Sequence, residues 1–326
     1  MKKQNEHDSN EVMKTFQRLI LFSILLTYAV ILAGAIVRGT GSGLGCPDWP
    51  RCFGQWVPPT DISQLPANYK EIYKIAGKTI ADFDAFKTWT EYINRLAGVV
   101  LGFFIVLLFG QSFRVKKIEP SLPWYCGGLL ILILIQGGIG AIVVSTHLKP
   151  FIITIHMVLA VALLYGLLYL RKYCMDLVSK FVPNQADGKS IALTNWTLAC
   201  GFLQLIMGTQ VRQQVDHLIR DTQMATPLTV ISQLDWLFLI HRSFSLVLLG
   251  LLLYLVIYLG RKSDRISQLL AMLILSTGLL TATSGVVLNY FNFPALAQPP
   301  HLFFAVLMLG LLYQLKLRLK GSVITN

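Results

Sequence analysis

Residues 266–315 contain no Asp, Glu, Lys or Arg. One bilayer crossing takes about 20 mostly apolar residues, so this stretch is too long for a single helix. The Asn- and Pro-rich segment 289–300 divides it. Read the same way, the whole chain holds eight apolar runs, at about 19–37, 92–112, 123–144, 151–170, 191–211, 236–259, 267–288 and 299–317. The fold class predicted is an all-α polytopic membrane protein with eight transmembrane helices in the lipid bilayer. Composition agrees: 54% of the 326 residues are hydrophobic and 13% charged, against about 25% charged in soluble domains. A soluble globular enzyme and a disordered chain are both excluded. The net charge of +12 sits in short clusters between apolar runs. That pattern sets membrane topology and does not make a nucleic-acid-binding face, so no nucleic-acid partner is expected.

Those basic clusters orient the chain. With the N-terminus inside, 17 of the 28 Lys and Arg fall on the inner side, as the positive-inside rule requires. Both termini are then cytoplasmic, with residues 1–18 and 318–326 as tails and 171–190 as a cytoplasmic linker. Segment 39–90 becomes an outer loop that includes one short helix near Tyr69–Lys78. The first run is read as a retained anchor, because of its length and the Val37-Arg38-Gly39-Thr40 that follows it. A bacterial cytoplasmic membrane fits these short loops.

An internal repeat divides the chain into a bundle at 19–170 and a second at 191–317. Gly34-Ala-Ile-Val-Arg38 matches Gly208-Thr-Gln-Val-Arg212, and Ile93-Asn94-Arg95 matches Ile240-His241-Arg242. Gly140-Ala-Ile-Val-Val144 matches Gly285-Val-Val-Leu288, and His156 with Ala160-Val161 matches His301 with Ala305-Val306. Four helices separate each pair, so the expected architecture is two tandem pseudo-symmetric four-helix bundles.

Ionisable groups inside a span are expensive and usually functional. His241 and His301 fall on alternate helices of one bundle at similar depth, which suits two axial imidazoles on one b-type haem iron. His156 is a third candidate iron ligand. Arg38, Arg95, Arg212 and Arg242 lie near the same rim, and guanidinium forks bind carboxylates such as haem propionates. The position matching His241 is Asn94, a poor iron ligand, so the first site is expected to be five-coordinate or held by another group. Glu91, Asn94 and Arg95 share one helix face at i, i+3 and i+4. Glu91 is a candidate proton acceptor, with simple pairing to Arg95 as the plainer reading. Cys46 and Cys52 lie in the outer loop, where oxidising conditions favour a disulfide, structural or exchanging. No C-x-x-C occurs among the five cysteines, which removes a zinc ribbon, a thioredoxin motif and a covalent c-type haem.

Together, Arg38-Gly-Thr-Gly-Ser-Gly-Leu-Gly-Cys46, Trp49-Pro-Arg-Cys52, Glu91-Tyr92 with Arg95 and the helix-opening histidines resemble the haem A synthase family across all eight helices. The resemblance implies oxidation of a methyl group of haem O to a formyl group by two hydroxylations and a dehydration, with water as oxygen source. It implies Glu91 as the catalytic carboxylate, His156 as a ligand at the substrate haem, and His241 and His301 as ligands of a haem b cofactor. It also implies Cys46 and Cys52 as the outer-loop pair, and haem O synthase and cytochrome oxidase assembly proteins as partners; a homo-oligomer is left open. Two departures stand out. The family pattern Glu-x-x-His-Arg reads Glu91-Tyr-Ile-Asn94-Arg95 here, and a second cysteine pair between the fifth and sixth spans is absent. The alternatives are a non-catalytic haem-binding assembly factor and a b-type membrane cytochrome. A transporter fits less well, because its repeats are often inverted and this repeat is parallel.

Overall fold

The computed structural model describes residues 2–179, 186–221, 231–291 and 293–321. Among them are eight helices long and apolar enough to cross a membrane. In chain order the helices are α1 (Lys2–Gly39), a one-turn α2 (Tyr69–Ile72), α3 (Ala85–Val115), α4 (Leu122–Ser145) and α5 (Pro150–Ser179). They continue with α6 (Gly188–Asp221), α7 (Trp236–Lys262), α8 (Arg265–Tyr290) and α9 (Gln298–Lys320). The protein is therefore a multi-pass membrane protein. Its large apolar side chains, such as Trp124, Val99 and Leu246, are widely exposed on the helix faces. Lipid-facing surfaces require this, since helices satisfy their own backbone polar groups and need only apolar side chains outside.

Local sequence sets the helix starts. The Asp84 carboxylate accepts from Lys87 N at 3.1 Å, Asp187 from Ser190 N at 3.0 Å and Asp235 from Leu237 N at 2.9 Å. Each satisfies a backbone donor of a first turn that has no partner within the helix. Prolines open α4, α5 and α9, where the missing N–H costs nothing.

The chain divides into two compact units, Met1–Met175 and Asp176–Asn326. In the first, α1 packs on α3 and α3 on α4. Helix α5 joins α1 through Gln17 Nε2, which donates to Cys174 O at 2.9 Å. It meets α4 so closely that a Cβ on Gly166 would lie 2.6 Å from Leu129 Cδ2. In the second unit, α6, α7, α8 and α9 pack in turn and α9 closes back on α6.

All eight spans lie where expected, but several helices run further. Helix α5 continues to Ser179 and α6 starts at Gly188, so much of the linker expected at 171–190 is helical; residues 180–185 lie outside the described set. Helix α6 extends past its apolar run to Asp221, helped by an Arg212–Asp216 ion pair at 2.7 Å on the same face. Helix α9 reaches Lys320, where Arg318 Nη2 donates to Asp264 Oδ2 at 2.5 Å and ties the end of α9 to the start of α8.

Candidate functional site

The segment between α1 and α3 folds into a small cap over one end of the first unit. Its core is Cys46, Cys52, Phe53, Leu65 and Tyr69, with Tyr73, Ile80, Phe83 and Tyr92 packed against them. Cys46 and Cys52 form a disulfide, and both are fully buried. Phe53 has φ +52°, and Asp48 holds this turn by accepting from Phe53 N at 2.6 Å and Gly54 N at 2.9 Å. Helix α3 pins the cap from below. Tyr92 Oη donates to Trp56 O at 2.6 Å, Trp89 Nε1 to Pro59 O at 3.2 Å, and Thr88 Oγ1 to Gly45 O at 2.9 Å.

Gly45 makes the closest approach of cap to helix. A Cβ there would lie 2.5 Å from Lys87 O, and neither backbone can yield. Gly45→Ala is expected to lift the loop from α3 at a cost of about 1–3 kcal/mol. A lowered Tm, with Cys46 and Cys52 becoming reducible and alkylatable in the folded protein, would show it. Unchanged protection of the disulfide would contradict this contact.

Glu91 lies directly beneath that approach. It is 3% exposed, and its Oε2 accepts from Cys46 N at 3.0 Å. Its Oε1 accepts from Arg95 Nε at 3.1 Å and Nη2 at 2.6 Å. Arg95 also donates through Nη1 to Asp48 O at 2.6 Å and Arg51 O at 3.0 Å, and through Nη2 to Cys46 O at 3.1 Å. A guanidinium has five N–H donors, and protein acceptors engage all of them. Arg95 ties the disulfide loop to Glu91.

The imidazoles share one packing arrangement. His156 on α5 lies over Gly140 of α4, where a Cβ would be 3.4 Å from the ring. His241 on α7 lies over Gly208 of α6, and His301 on α9 over Gly285 of α8, each at 3.1 Å. Asn94 on α3 lies over Gly34 of α1, with its Oδ1 3.7 Å from the Cβ position. At Gly208 and Gly285 a Cβ would press on the ring, so glycine is what lets these two imidazoles lie so close to the preceding helix. In the first unit, Gln136 Nε2 donates to His156 O at 3.0 Å; in the second, Gln204 Nε2 donates to His241 O at 2.9 Å. Each glutamine sits one turn before its glycine. Sequence reasoning missed this brace, although the spacing Gln-x-x-x-Gly at 136–140 and 204–208 was there to be seen.

His301 Nδ1 lies 2.9 Å from Thr281 O and 3.2 Å from Ser284 Oγ. The carbonyl can only accept, so Nδ1 carries the proton and Nε2 is left as a free lone pair, the form that ligates metals. His241 lies within electrostatic reach of His301. The Nδ1 atoms of His156 and His241, Asn94 Oδ1, Gln136 Oε1 and Gln204 Oε1 are buried without a partner. Buried polar atoms are normally satisfied, and in each unit taken by itself the orphans beside the glycine cradles fit a site built for an additional group. Among the described residues no three His, Cys, Asp or Glu side chains converge on a metal ion.

Of the other arginines, Arg38 stands in the last turn of α1 and Arg212 pairs with Asp216. Arg242 is exposed, with its guanidinium carbon 5.7 Å from the Phe238 ring centre.

Eight spans, a capped carboxylate and half-buried histidines in the first two turns of their helices define a polytopic membrane protein. A model of the cytochrome oxidase assembly protein family (COX15-CtaA) matches residues 17–313, and the chain belongs to that family. It is 31% identical over 155 residues to a protein from Shewanella oneidensis named heme A synthase, covering 47% of this chain and 44% of the relative. It is 23% identical over 218 residues to a heme A synthase from Brucella ovis, covering 63% of this chain and 58% of the relative. The match thus spans about half the length of these curated relatives.

Proposed function

We propose that the chain is a haem A synthase, oxidising a methyl group of haem O to the formyl group of haem A for cytochrome oxidase. The observation that carries this reading is the buried Glu91 carboxylate, fixed by Arg95 and Cys46 N on the helix that also bears Asn94. A carboxylate in that position can take the proton released when water adds to an oxidised methyl group. The first unit binds the substrate haem, with His156 toward the iron. In the second, His241 and His301 would hold haem b, which would supply electron transfer. Arg38, Arg95, Arg212 and Arg242 are the propionate-binding candidates, and Arg95 also ties the cap to Glu91. Each of the two hydroxylations joins a water oxygen to the methyl carbon and releases two electrons and two protons. Dehydration of the resulting diol leaves the aldehyde. Glu91 takes protons, and the electrons leave for an acceptor outside this chain.

In this reading the cap faces the outer side, both termini are cytoplasmic and the membrane is the bacterial cytoplasmic membrane. The bundles at 19–170 and 191–317 are tandem copies, which the shared glycine–histidine packing supports. Haem O synthase and oxidase assembly proteins are the natural partners, as source and recipient of the haems. A non-catalytic assembly factor is the second reading, and Asn94 is the residue that favours it.

Turnover of haem O by the purified protein in water enriched in heavy oxygen tests the proposal. The formyl oxygen is expected to carry the label. A formyl group formed with unlabelled oxygen would contradict water as the source, and recovery of unchanged haem O would favour the assembly factor.

The glycine cradles give a further prediction. Gly208→Ala and Gly285→Ala press a methyl group onto an imidazole already 3.1 Å away. Both are expected to shift the low-spin spectrum and potential of haem b. Gly34→Ala meets only ordinary contact at 3.7 Å and should leave them unmoved. Equal effects from all three would contradict the seating of the two histidines.

A further inference from the structure

His156 and His301 hold matching places in the two units, each over a glycine of the preceding helix, yet their ring nitrogens are used in opposite ways. In the second unit the residue four before that glycine is Thr281, whose backbone carbonyl takes the proton of His301 Nδ1 at 2.9 Å. In the first unit the residue at that place is Gln136. Its Nε2 donates to His156 O at 3.0 Å and also lies 3.4 Å from His156 Nε2. The carbonyl can only accept, which fixes that atom as the amide nitrogen, and an amide nitrogen can only donate. His156 Nε2 is therefore the acceptor, with an N–H over its lone pair. Nδ1 carries the ring proton and is buried with nothing to receive it. Gln136 is itself only 9% exposed, so its amide has little water to turn to. An imidazole ligates through a free lone pair, and an acceptor on its other nitrogen makes it the stronger ligand. His301 has both features and His156 has neither.

We propose that Gln136 is a displaceable cover on His156. It competes with a haem iron for the Nε2 lone pair, and so makes the first unit a site that releases its haem while the second retains its own. A substrate site needs this property, because the product must leave after each turnover; a cofactor site does not. The contact at 3.4 Å is longer than the about 2.7–3.2 Å of ordinary bonds and can yield. When it does, the amide still has the His156 carbonyl as a partner. Gln136 is thus a positioning residue that acts through His156. This proposal rests on the reading that His156 faces the iron of the substrate haem.

The test uses the full chain loaded with haem O and haem b. Transfer of each haem to excess apomyoglobin is followed in time, and chromatography identifies which haem has left. Gln136→Leu should slow the loss of haem O about fivefold, the worth of one ordinary hydrogen bond, and leave the loss of haem b unchanged. Gln136→Thr, which places the second unit's residue in the first, should act in the same direction and guards against a folding defect in the leucine variant. With release slowed, kcat and KM for haem O should fall together. A purely structural brace between α4 and α5 would give the reverse, faster loss of haem O and a raised KM. Loss of haem O that is unchanged or quickened in the variants overturns this proposal and leaves the functional reading standing. Haem O held as firmly in His156→Ala as in the wild type removes His156 from the substrate site and overturns that reading as well.

Discussion

Glu91→Gln should reduce haem A formation at least about 100-fold, the lower range for loss of a positioned general base. Glutamine is nearly isosteric. Its amide oxygen can keep the bonds from Arg95 Nε and Nη2 that Glu91 Oε1 now accepts, at the loss of the one from Cys46 N to Oε2. Arg95 keeps Cys46 O, Asp48 O and Arg51 O as acceptors, so the cap should stay seated. Haem content and the low-spin spectrum should be those of the wild type. Glu91→Ala is a harsher change, because it leaves a buried guanidinium facing a cavity; losing one partner of a buried pair costs about 3–5 kcal/mol. Comparison of the two separates chemistry from architecture. Loss of activity in Ala with full activity in Gln would make Glu91 a structural anchor and remove it from the proton path.

His241→Ala and His301→Ala should each abolish the low-spin haem b signal and lower haem b content by an order of magnitude or more. The two residues are not equivalent. His301 Nδ1 is oriented by Thr281 O and Ser284 Oγ, whereas His241 Nδ1 has no partner. His241 is held instead through its backbone carbonyl by Gln204. Ring orientation partners tune metal sites by about 10–100-fold in affinity, so Ser284→Ala should be the milder lesion and Gln204→Leu should loosen the α6–α7 contact. Haem quantified by pyridine haemochrome and by low-temperature resonance checks each variant. An unchanged low-spin signal in either alanine variant would refute the ligand pair.

The spans were legible because length and apolarity alone decide whether a helix can cross a bilayer. Their ends were not, because polar extensions stay helical through contacts that hydropathy ignores, such as Arg212 with Asp216 and Asp264 with Arg318. Within the site, the Glu91–Arg95 pair could be read from i, i+4 spacing. The bond from Cys46 N could not, since 45 residues separate the partners. The same holds for the loop contacts of Arg95. Its acceptors there are carbonyls that become neighbours only when the cap closes. The histidines and glycines were each visible in the repeat, but which imidazole lies on which glycine is a property of helix packing. Thr88, Gly45, Gln136 and Gln204 went unnoticed because their work is done through backbone carbonyls, which leave no signature in residue type.

The most direct test is the haem made in cells. The chain is co-expressed with haem O synthase in a host lacking haem A, and non-covalent haems are extracted and identified by chromatography and mass. The synthase reading predicts a haem A peak that disappears in Glu91→Gln while haem b remains. Folded protein carrying haem b or haem O, with no haem A, would contradict it.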